Sequence, residues 1–240
     1  MNAVTFPERA ARAKGPIVNG LSVDVEDWFQ VGAFEDVIER DQWSGLTDRV
    51  DRNVREILDL FDEVDAKATF FTLGWVAQRH GALLREIVAR GHEIASHGWD
   101  HRRVFTMDRA SFAEDIAKAR KAIEDASGAR LTGYRAPSFS IDQRTPWAFA
   151  ELVEQGYAYS SSVAPVAHDH YGWPEAPRFA FKPVPRRKLR QRLPSPPPRP
   201  RAVPLRDRRA RPSGPTRTRG SAGAAWAPSG RGWCNAAAAT

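Results

Sequence analysis

The chain has 240 residues, enough for one large domain or for one domain with an extension. Its hydrophobic content of 42% is ordinary for a globular protein, and its single cysteine, Cys234, excludes both an intrachain disulfide and a cysteine-based zinc site. The net charge of +7 does not indicate a nucleic-acid-binding domain, because 14 of the 36 Lys and Arg residues but one of the 29 acidic residues follow Pro183, which leaves residues 1–183 with a net charge of −6.

The N-terminal 16 residues form the first segment. They contain no apolar run of the length found in signal peptides. No stretch of the chain approaches the roughly 18 apolar residues that span a bilayer. We therefore expect an N-terminal arm over residues 1–16 and a cytoplasmic protein without a membrane span.

Strands and helices alternate over residues 17–183. The hydrophobic periodicity predicts strands at 17–25, 67–73, 92–96 and 157–163, a strand and turn at 132–137, and helices at 48–63, 81–91, 108–126 and 145–156. This alternation predicts a parallel α/β sheet or barrel. In such folds the chemistry gathers at the C-terminal ends of the strands.

Three carboxylates lie at the end of the first predicted strand, in the stretch LSVDVEDWF (residues 21–29). Side chains alternate along a strand, which places Asp24 and Glu26 on one face and Asp27 on the other. An exposed acidic turn is the simpler interpretation. The position at a strand end favours a functional one, because a barrel carries its active site there.

Two histidines, His97 and His101, stand four residues apart in the stretch SHGWDH. At helical spacing they would share one face and could bind one ion from the same side. Two imidazoles and one carboxylate form a catalytic metal site with positions left for water and substrate. A second carboxylate beside such a site can act as a general base. The spacing alone is a weak signal, and the acidic cluster strengthens it.

Arg135 follows a β-rich run in GYRAPSFS (residues 133–140), and a further strand end, YAYSSSVAP (residues 157–165), carries several hydroxyls. Arg135 is either a surface arginine or a fixed cation. In the second interpretation it pairs with the base and holds that base ionised and oriented.

Together the four motifs, in this order, resemble those of the polysaccharide deacetylases of the NodB-homology type. DVED stands where that family has paired aspartates, and SHGWDH matches its H-[ST]-x-x-H motif, with Gly98 in place of Ser or Thr. GYRAP matches its arginine motif, and YSSS matches its D-S-S motif, with Ser160 in place of Asp. The stretch DHYGWPEAPRFAF (residues 169–181) is similar to the subgroup associated with exosortase (PEP-CTERM) exopolysaccharide gene clusters. The resemblance covers residues 17–183.

The resemblance implies a distorted (β/α) barrel and a hydrolase that removes N-acetyl groups from an amino-sugar polymer. It implies a divalent metal, for which zinc is preferred and cobalt or another divalent ion is the alternative. By motif, His97 and His101 are then metal ligands, Asp24 is the catalytic base, and Arg135 orients that base.

The third metal ligand is not settled by the motif, because the residue next to Asp24 is Val25. Strand periodicity favours Glu26, which faces the same way as Asp24, and Asp27 is the alternative. Aromatic rings offer flat apolar area to sugars, although packing at the rim explains them equally well. The residues expected to contact the substrate are Trp28, Trp99, Tyr134, Pro137 and Ser161.

Residues 184–240 differ abruptly from the rest. They contain ten prolines and almost no apolar periodicity, so they cannot bury enough surface to offset chain entropy. Arg, Pro, Ala and Gly all use GC-rich codons, and we favour the interpretation that this basic tail is an out-of-frame reading of a GC-rich gene. A disordered basic linker and an arginine-rich nucleic-acid arm are the alternatives.

The family's general acid comes from a late histidine, in an L-x-x-H or H-P-W-E-like motif, and none of the six histidines here follows His170. His168 and His170 are alternative proton donors, although they belong to a different motif. We therefore expect a barrel that is incomplete at its C-terminal end, poor solubility, and little or no deacetylase activity of the chain as written. A non-catalytic carbohydrate-binding relic, a nucleic-acid binder and an allantoinase-like amidase are the rival functions.

Overall fold

The computed structural model describes residues 4–5 and 19–185. The predicted N-terminal arm (residues 1–16) and basic tail (residues 184–240) therefore lie outside the described residues, apart from two short strands. These strands, β1 (Val4–Thr5) and β7 (Val184–Pro185), form an antiparallel pair in which Val4 faces Pro185.

Five parallel strands form the centre of the fold, and their order in the sheet follows the chain. They are β2 (Leu21–Val25), β3 (Ala68–Thr72), β4 (Glu93–Ser96), β5 (Gly133–Tyr134) and β6 (Tyr159–Ser160). Parallel neighbours require crossovers, and each crossover here contains helical turns. The predicted α/β class with a parallel sheet is confirmed. Within the described residues β2 and β6 are the two edges, so the sheet is open at the point where a barrel closes.

Five α-helices cover the sheet: α1 (Val50–Glu63), α2 (Gly74–Arg79), α3 (Gly81–Ala89), α4 (Arg109–Ser127) and α5 (Ala148–Glu154). Four of them match predicted helices to within a few residues. The sequence did not predict α2, because six residues are too few to show a helical period. Short 3₁₀ helices occupy Gly32–Phe34, Arg40–Gly45, Val104–Thr106 and Pro137–Phe139. None of the helices in the described part of the chain is long and apolar enough to cross a membrane.

The hydrophobic core lies between the sheet and these helices. Helix α1 packs on the sheet through one apolar face, since Val50, Val54 and Leu58 are buried with Val25 and Phe70 of the sheet. A second cluster joins α4 and α5 to β5. A third cluster contains Ile94 of β4, so the core anchors β2, β4 and β5, whose C-terminal ends lie on the same side of the sheet.

Helix α4 has defined ends, which fix where its side chains lie. The Asp108 side chain accepts a hydrogen bond from the Ser111 backbone N–H at 2.8 Å, and the Ser111 hydroxyl satisfies the Asp108 N–H in return. The helix ends at Gly128, whose φ of 74° is the left-handed conformation that glycine adopts easily.

The side of the sheet next to β6 is partly open. A cavity of about 230 Å³ lies there, lined by α5, β6 and residues 177–183. Val153 and Phe179 are 71% and 68% exposed at its margin. Apolar surface beside an edge strand favours association, and this agrees with the expected poor solubility, which stays a prediction.

Candidate active site

One carboxylate and two imidazoles converge at the C-terminal end of the sheet. Glu26 follows β2, and His97 follows β4. The Glu26 Oε2 atom lies 3.0 Å from His101 Nε2 and 3.8 Å from His97 Nε2. One ligand atom from each of the three residues falls within 4.8 Å of the others. This separation is the one that three ligands of a single ion require.

The donor set fits a divalent ion. Glu26 Oε2 is buried and has no hydrogen bond of good geometry, so its lone pairs are unused. The other ring nitrogen of His97, Nδ1, lies 2.9 Å from the Arg135 carbonyl and donates to it, which directs Nε2 toward the other two residues. Glu26, His97 and His101 are therefore the residues that could hold the metal.

The two histidines lie on a loop and not on a helix, so the helical interpretation of their spacing is wrong. The loop turns through residues with positive φ, 80° at Gly98 and 58° at His101. Such a turn brings the second imidazole back beside the first, and the ring centroids are 5.4 Å apart. The backbone conformation of the loop thus brings the two imidazoles together, as a shared helical face would have done.

The electrostatics of the site suit metal binding. Burial opposes the ionisation of Glu26, but the contact with His101 and the charges of both histidines outweigh it, so the pKa of Glu26 lies below its ordinary value. Burial lowers the pKa of His97, although Asp24 and Glu26 act in the opposite direction. The lowered pKa of Glu26 favours the ionised carboxylate, which is the form that binds a cation.

Asp24 lies beside this cluster and is held by Arg135. The Arg135 Nη1 donates to Asp24 Oδ1 at 2.6 Å, and the free oxygen, Oδ2, lies 4.0 Å from His97 Nε2. The Arg135 Nη2 donates to the hydroxyls of Ser22 and Ser161 at 2.9 and 3.1 Å. The Arg135 side chain is buried, and its guanidinium carbon lies 4.0 Å from the ring centroid of Phe71. The structure therefore brings together the residues predicted as base and orienting cation.

Asp27, the alternative third ligand, points away from the metal centre. It is 2% exposed, and its Oδ2 accepts hydrogen bonds from the backbone N–H groups of Arg49 and Val50 at 2.7 and 3.0 Å. Its Oδ1 accepts from the N–H of Trp28. Asp27 therefore satisfies the N-terminus of α1, as strand alternation predicts for the face opposite Asp24 and Glu26.

Replacing Asp27 by Ala is expected to destabilise the fold by about 2 kcal/mol, because buried N–H groups lose their acceptor. Urea unfolding measures this change. Asp27→Asn keeps one carbonyl oxygen and should lose less stability. Neither variant should weaken metal binding, and a loss in Asp27→Asn comparable with that in Glu26→Gln would make Asp27 a ligand.

Two of the expected substrate contacts are wrong. Tyr134 has no exposed surface and packs in the core between Phe112 and Tyr157, so no sugar can stack on it. Pro137 is also buried, at the start of a 3₁₀ helix. Both residues flank Arg135 at the C-terminal end of β5. Their place in the motif is therefore explained by packing and not by contact with substrate.

The other three expected contacts differ from one another. Trp28 is 36% exposed and packs edge-on against Phe34, and Ser161 is partly exposed beside Arg135; their contact with substrate stays a prediction. Trp99 packs between α2 and α4: Lys118 Nζ lies 3.6 Å from its ring centroid, and a Cβ on Gly74 would lie 2.5 Å from its ring. The packing role of Trp99 therefore explains its position.

His168, an alternative proton donor, lies on an exposed loop. Its ring stacks on Tyr171 with centroids 4.3 Å apart, and Tyr171 contacts Phe139, whose ring centroid is 5.5 Å from the guanidinium carbon of Arg135. These contacts place the loop near Arg135, and no contact of the described residues joins it to Asp24 or the metal ligands.

The sequence interpretation missed two residues around the site. Ser22 shares the β2 face with Asp24, and strand alternation could have identified it as a partner of Arg135. Asp115 lies on α4, and its Oδ2 accepts a hydrogen bond from the Trp99 N–H at 3.1 Å. Burial, together with the charge of Asp100, raises the pKa of Asp115 to about 7. No local pattern distinguishes Asp115 from an ordinary helix-surface acid.

Folding stability should depend on the protonation of Asp115. Its pKa is higher in the folded chain than in the unfolded chain, so the stability that it contributes below about pH 4 is lost as the pH rises to about 7. Asp115→Asn should therefore be more stable than the parent at pH 8, by on the order of 4 kcal/mol, with no difference near pH 4. Urea unfolding at the two pH values measures this, and a pH-independent difference would contradict the assignment.

Comparison with known proteins agrees with this geometry. The profile of the family described as polysaccharide deacetylase matches residues 41–159, about half of the chain. The matched residues include His97, His101 and Arg135. Asp24 and Glu26 precede the matched segment, and the structure places them beside it.

Individual relatives match shorter segments. The peptidoglycan-N-acetylglucosamine deacetylase of Listeria monocytogenes is 30% identical over 88 residues, which are 37% of this chain and 19% of that protein. The peptidoglycan deacetylase of Helicobacter pylori is 27% identical over 110 residues, 46% of this chain and 36% of that protein. The chain thus spans about a fifth to a third of these curated relatives.

A solved structure supports the fold. The crystal structure of a Mycobacterium smegmatis protein assigned by name to the polysaccharide deacetylases aligns with a TM-score of 0.54 and 25% identity, covering 67% of this chain and 57% of that one. The profile match, the relatives and this alignment agree. Over residues 41–159 the described α/β domain is thus similar to the polysaccharide deacetylase family.

Proposed function

We propose that the described domain is a divalent-metal-dependent hydrolase that removes N-acetyl groups from an amino-sugar polysaccharide. The observation that carries this proposal is the convergence of Glu26, His97 and His101 beside an Asp24 held by Arg135. The names of the relatives point to acetylated glycans as the substrate class, because they include peptidoglycan and chitooligosaccharide deacetylases.

The metal ligands would be Glu26, His97 and His101. A donor set of two imidazoles and one carboxylate suits zinc, and cobalt is the alternative. A divalent ion bound there supplies Lewis-acid polarisation of the acetyl carbonyl. The remaining chemistry belongs to the protein side chains.

Asp24 would act as the general base. Its Oδ2 is free of hydrogen bonds in the described structure and lies next to His97, where it can take a proton from an attacking water. Arg135 fixes the orientation of the carboxylate through Oδ1. The charge on the guanidinium is balanced by Asp24, and the hydroxyls of Ser22 and Ser161 hold it in place.

The leaving amine also needs a proton donor. The described residues place no histidine against Asp24 other than His97, which the metal would occupy. We infer that a complete enzyme of this type takes the donor from sequence beyond Pro183, and that the basic tail is an out-of-frame reading of that sequence. Sequencing the gene across the codons for residues 175–240 and translating the three frames tests this: a frame with β-rich sequence and a late histidine supports it.

The experiment that tests the function separates the attack of water on the acetyl group, which needs the base, from the protonation of the leaving group, which needs an acid. An aryl acetate has a phenolate leaving group that needs no proton donor, whereas an N-acetylglucosamine oligomer releases an amine that does. The purified chain with zinc should hydrolyse the aryl acetate, and Asp24→Asn or a chelator should abolish this. Acetate release from the oligomer should be far slower. A chain that folds and binds zinc but shows no Asp24-dependent hydrolysis of either substrate would instead be a carbohydrate-binding relic.

The biological setting is a further part of the proposal. The DHYGWPEAPRFAF stretch supports a role in exopolysaccharide biosynthesis of the exosortase (PEP-CTERM) type. Nucleic-acid binding through the basic tail is the rival. It predicts salt-sensitive DNA binding that disappears when residues 184–240 are removed.

A further inference from the structure

The loop segment between the two histidine ligands, residues 98–100, is held from two sides. On one side, the N–H groups of Gly74 and Trp75 at the start of α2 donate to the carbonyls of Gly98 and Trp99 at 2.9 and 3.0 Å. On the other side, the Trp99 N–H donates to Asp115 Oδ2 of α4 at 3.1 Å. The loop therefore depends on two helices that are remote from it in the sequence.

Asp115 is an unusual acceptor for this purpose. It is partly buried, and no Lys or Arg of the described residues forms an ion pair with it. Lys118, one turn further along α4, lies over the Trp99 ring instead. Burial and the charge of Asp100 raise its pKa to about 7, so ionisation of this carboxyl is opposed by its surroundings. The charges of Arg102 and Lys118 reduce this rise without cancelling it, so the Asp115 carboxylate lowers stability where it stands.

Gly98 lies against the same carboxylate oxygen, Asp115 Oδ2. Its φ of 80° is disfavoured for residues with a side chain, and a Cβ built on it would lie 3.1 Å from Asp115 Oδ2. Ser or Thr is usual at the motif position of Gly98. A glycine there leaves room for the Asp115 carboxylate, which accepts a hydrogen bond from the next residue, Trp99. Together Gly98 and Asp115 define a turn that returns His101, itself at a φ of 58°, to the side of His97.

We propose that Asp115 is a positioning residue for the metal centre: by accepting the Trp99 N–H it fixes the turn that directs His97 and His101 at one ion. This inference rests on the metal site of the proposed function. Residues around a metal site that orient its ligands typically contribute 10–100-fold to metal affinity, and an acceptor that acts through the backbone should fall near about 10-fold.

The test is a titration of the full chain with Co²⁺ alone at pH 7.5, followed by visible absorption and calorimetry. Asp115→Leu removes the acceptor at similar size and should bind Co²⁺ about 10-fold more weakly, with a changed spectrum. Asp115→Asn keeps an acceptor oxygen and should stay within about threefold of the parent. Glu114→Leu, which removes an exposed acid from the neighbouring position of α4, is the matched control and should not change binding.

The unfolding midpoint of each metal-free variant, measured in parallel, separates positioning from stability. Weaker Co²⁺ binding by the Leu variant with rescue by Asn supports the proposal, whatever the midpoint does. Unchanged binding in a folded Asp115→Leu overturns it, and so does an Asn variant as weak as Leu. If the Leu variant does not fold, Asp115→Ala takes its place with the same criteria. His101→Ala must lose the Co²⁺ spectrum; if it does not, the metal site of the proposed function fails, and the role of Asp115 falls with it.

Discussion

Replacing Glu26 by Gln is expected to lower the affinity of the chain for zinc or cobalt by more than about 100-fold. Changes in residues that merely orient metal ligands already cost 10–100-fold, and this change removes the charge and one oxygen of a ligand itself. The pKa of Glu26 is held below its ordinary value, so the carboxylate is ionised and ready to bind a cation near neutral pH. Calorimetric titration with zinc measures the change directly.

Thermal unfolding gives a second measurement. An ion present at 100 times its Kd stabilises the folded chain by about 2.7 kcal/mol, so the parent should show a clear rise in Tm with zinc that a chelator removes. Glu26→Gln should show almost none of this rise. Asp27→Asn is the matched control, because it changes the neighbouring acid, which binds the N-terminus of α1. A zinc-induced rise retained in Glu26→Gln would contradict the assignment of the third ligand.

Replacing Asp24 by Asn is expected to lower the metal-dependent hydrolysis of an aryl acetate by roughly 10²–10⁴-fold, the usual contribution of a general base. Asn keeps a carbonyl oxygen for the Arg135 Nη1, so the geometry of the pair should survive while the proton acceptor is lost. Zinc affinity should change by less than about threefold, because Asp24 Oδ2 lies 4.0 Å from His97 and is not one of the three convergent ligands.

Two controls sharpen the role of Asp24. Ser161→Ala removes one of the three side chains that hold the Arg135 guanidinium, and it should lower kcat by less than about tenfold with KM nearly unchanged. Asp142→Asn changes another buried acid, which binds Arg144 away from the site, and it should leave the rate per folded molecule as it is. A rate in Asp24→Asn equal to that of the parent would show that another group takes the proton.

Much of the candidate site was determined by local sequence. The period of two along β2 places Asp24 and Glu26 on one face and Asp27 on the other, and the structure agrees for all three residues. Because parallel strands end at a common edge, the placement of His97 and Arg135 directly after predicted strands was enough to bring them to Asp24. The alternation of strands and helices likewise determined the α/β class.

Other features depended on contacts that no local pattern contains. The turn of the histidine loop is set by positive φ angles at Gly98 and His101 and by helices α2 and α4, so a helical interpretation of the spacing failed. From the sequence alone, Tyr134 is expected to be an exposed aromatic residue next to Arg135. The packing of α4 and α5 on β5 instead buries it completely. Asp115 could be recognised only from the hydrogen bond that it accepts from the Trp99 N–H.

The sequence by itself therefore determined which candidate residues lie together and at which end of the sheet, because side-chain direction in a strand is a local property of the backbone. The tertiary structure decided which acid lies beside the two histidines, which aromatic rings are buried, and which carboxylate accepts a hydrogen bond from the histidine loop. These depend on how helices pack across the sheet, where residues far apart in the chain meet and where burial, not periodicity, sets the energy of each polar group.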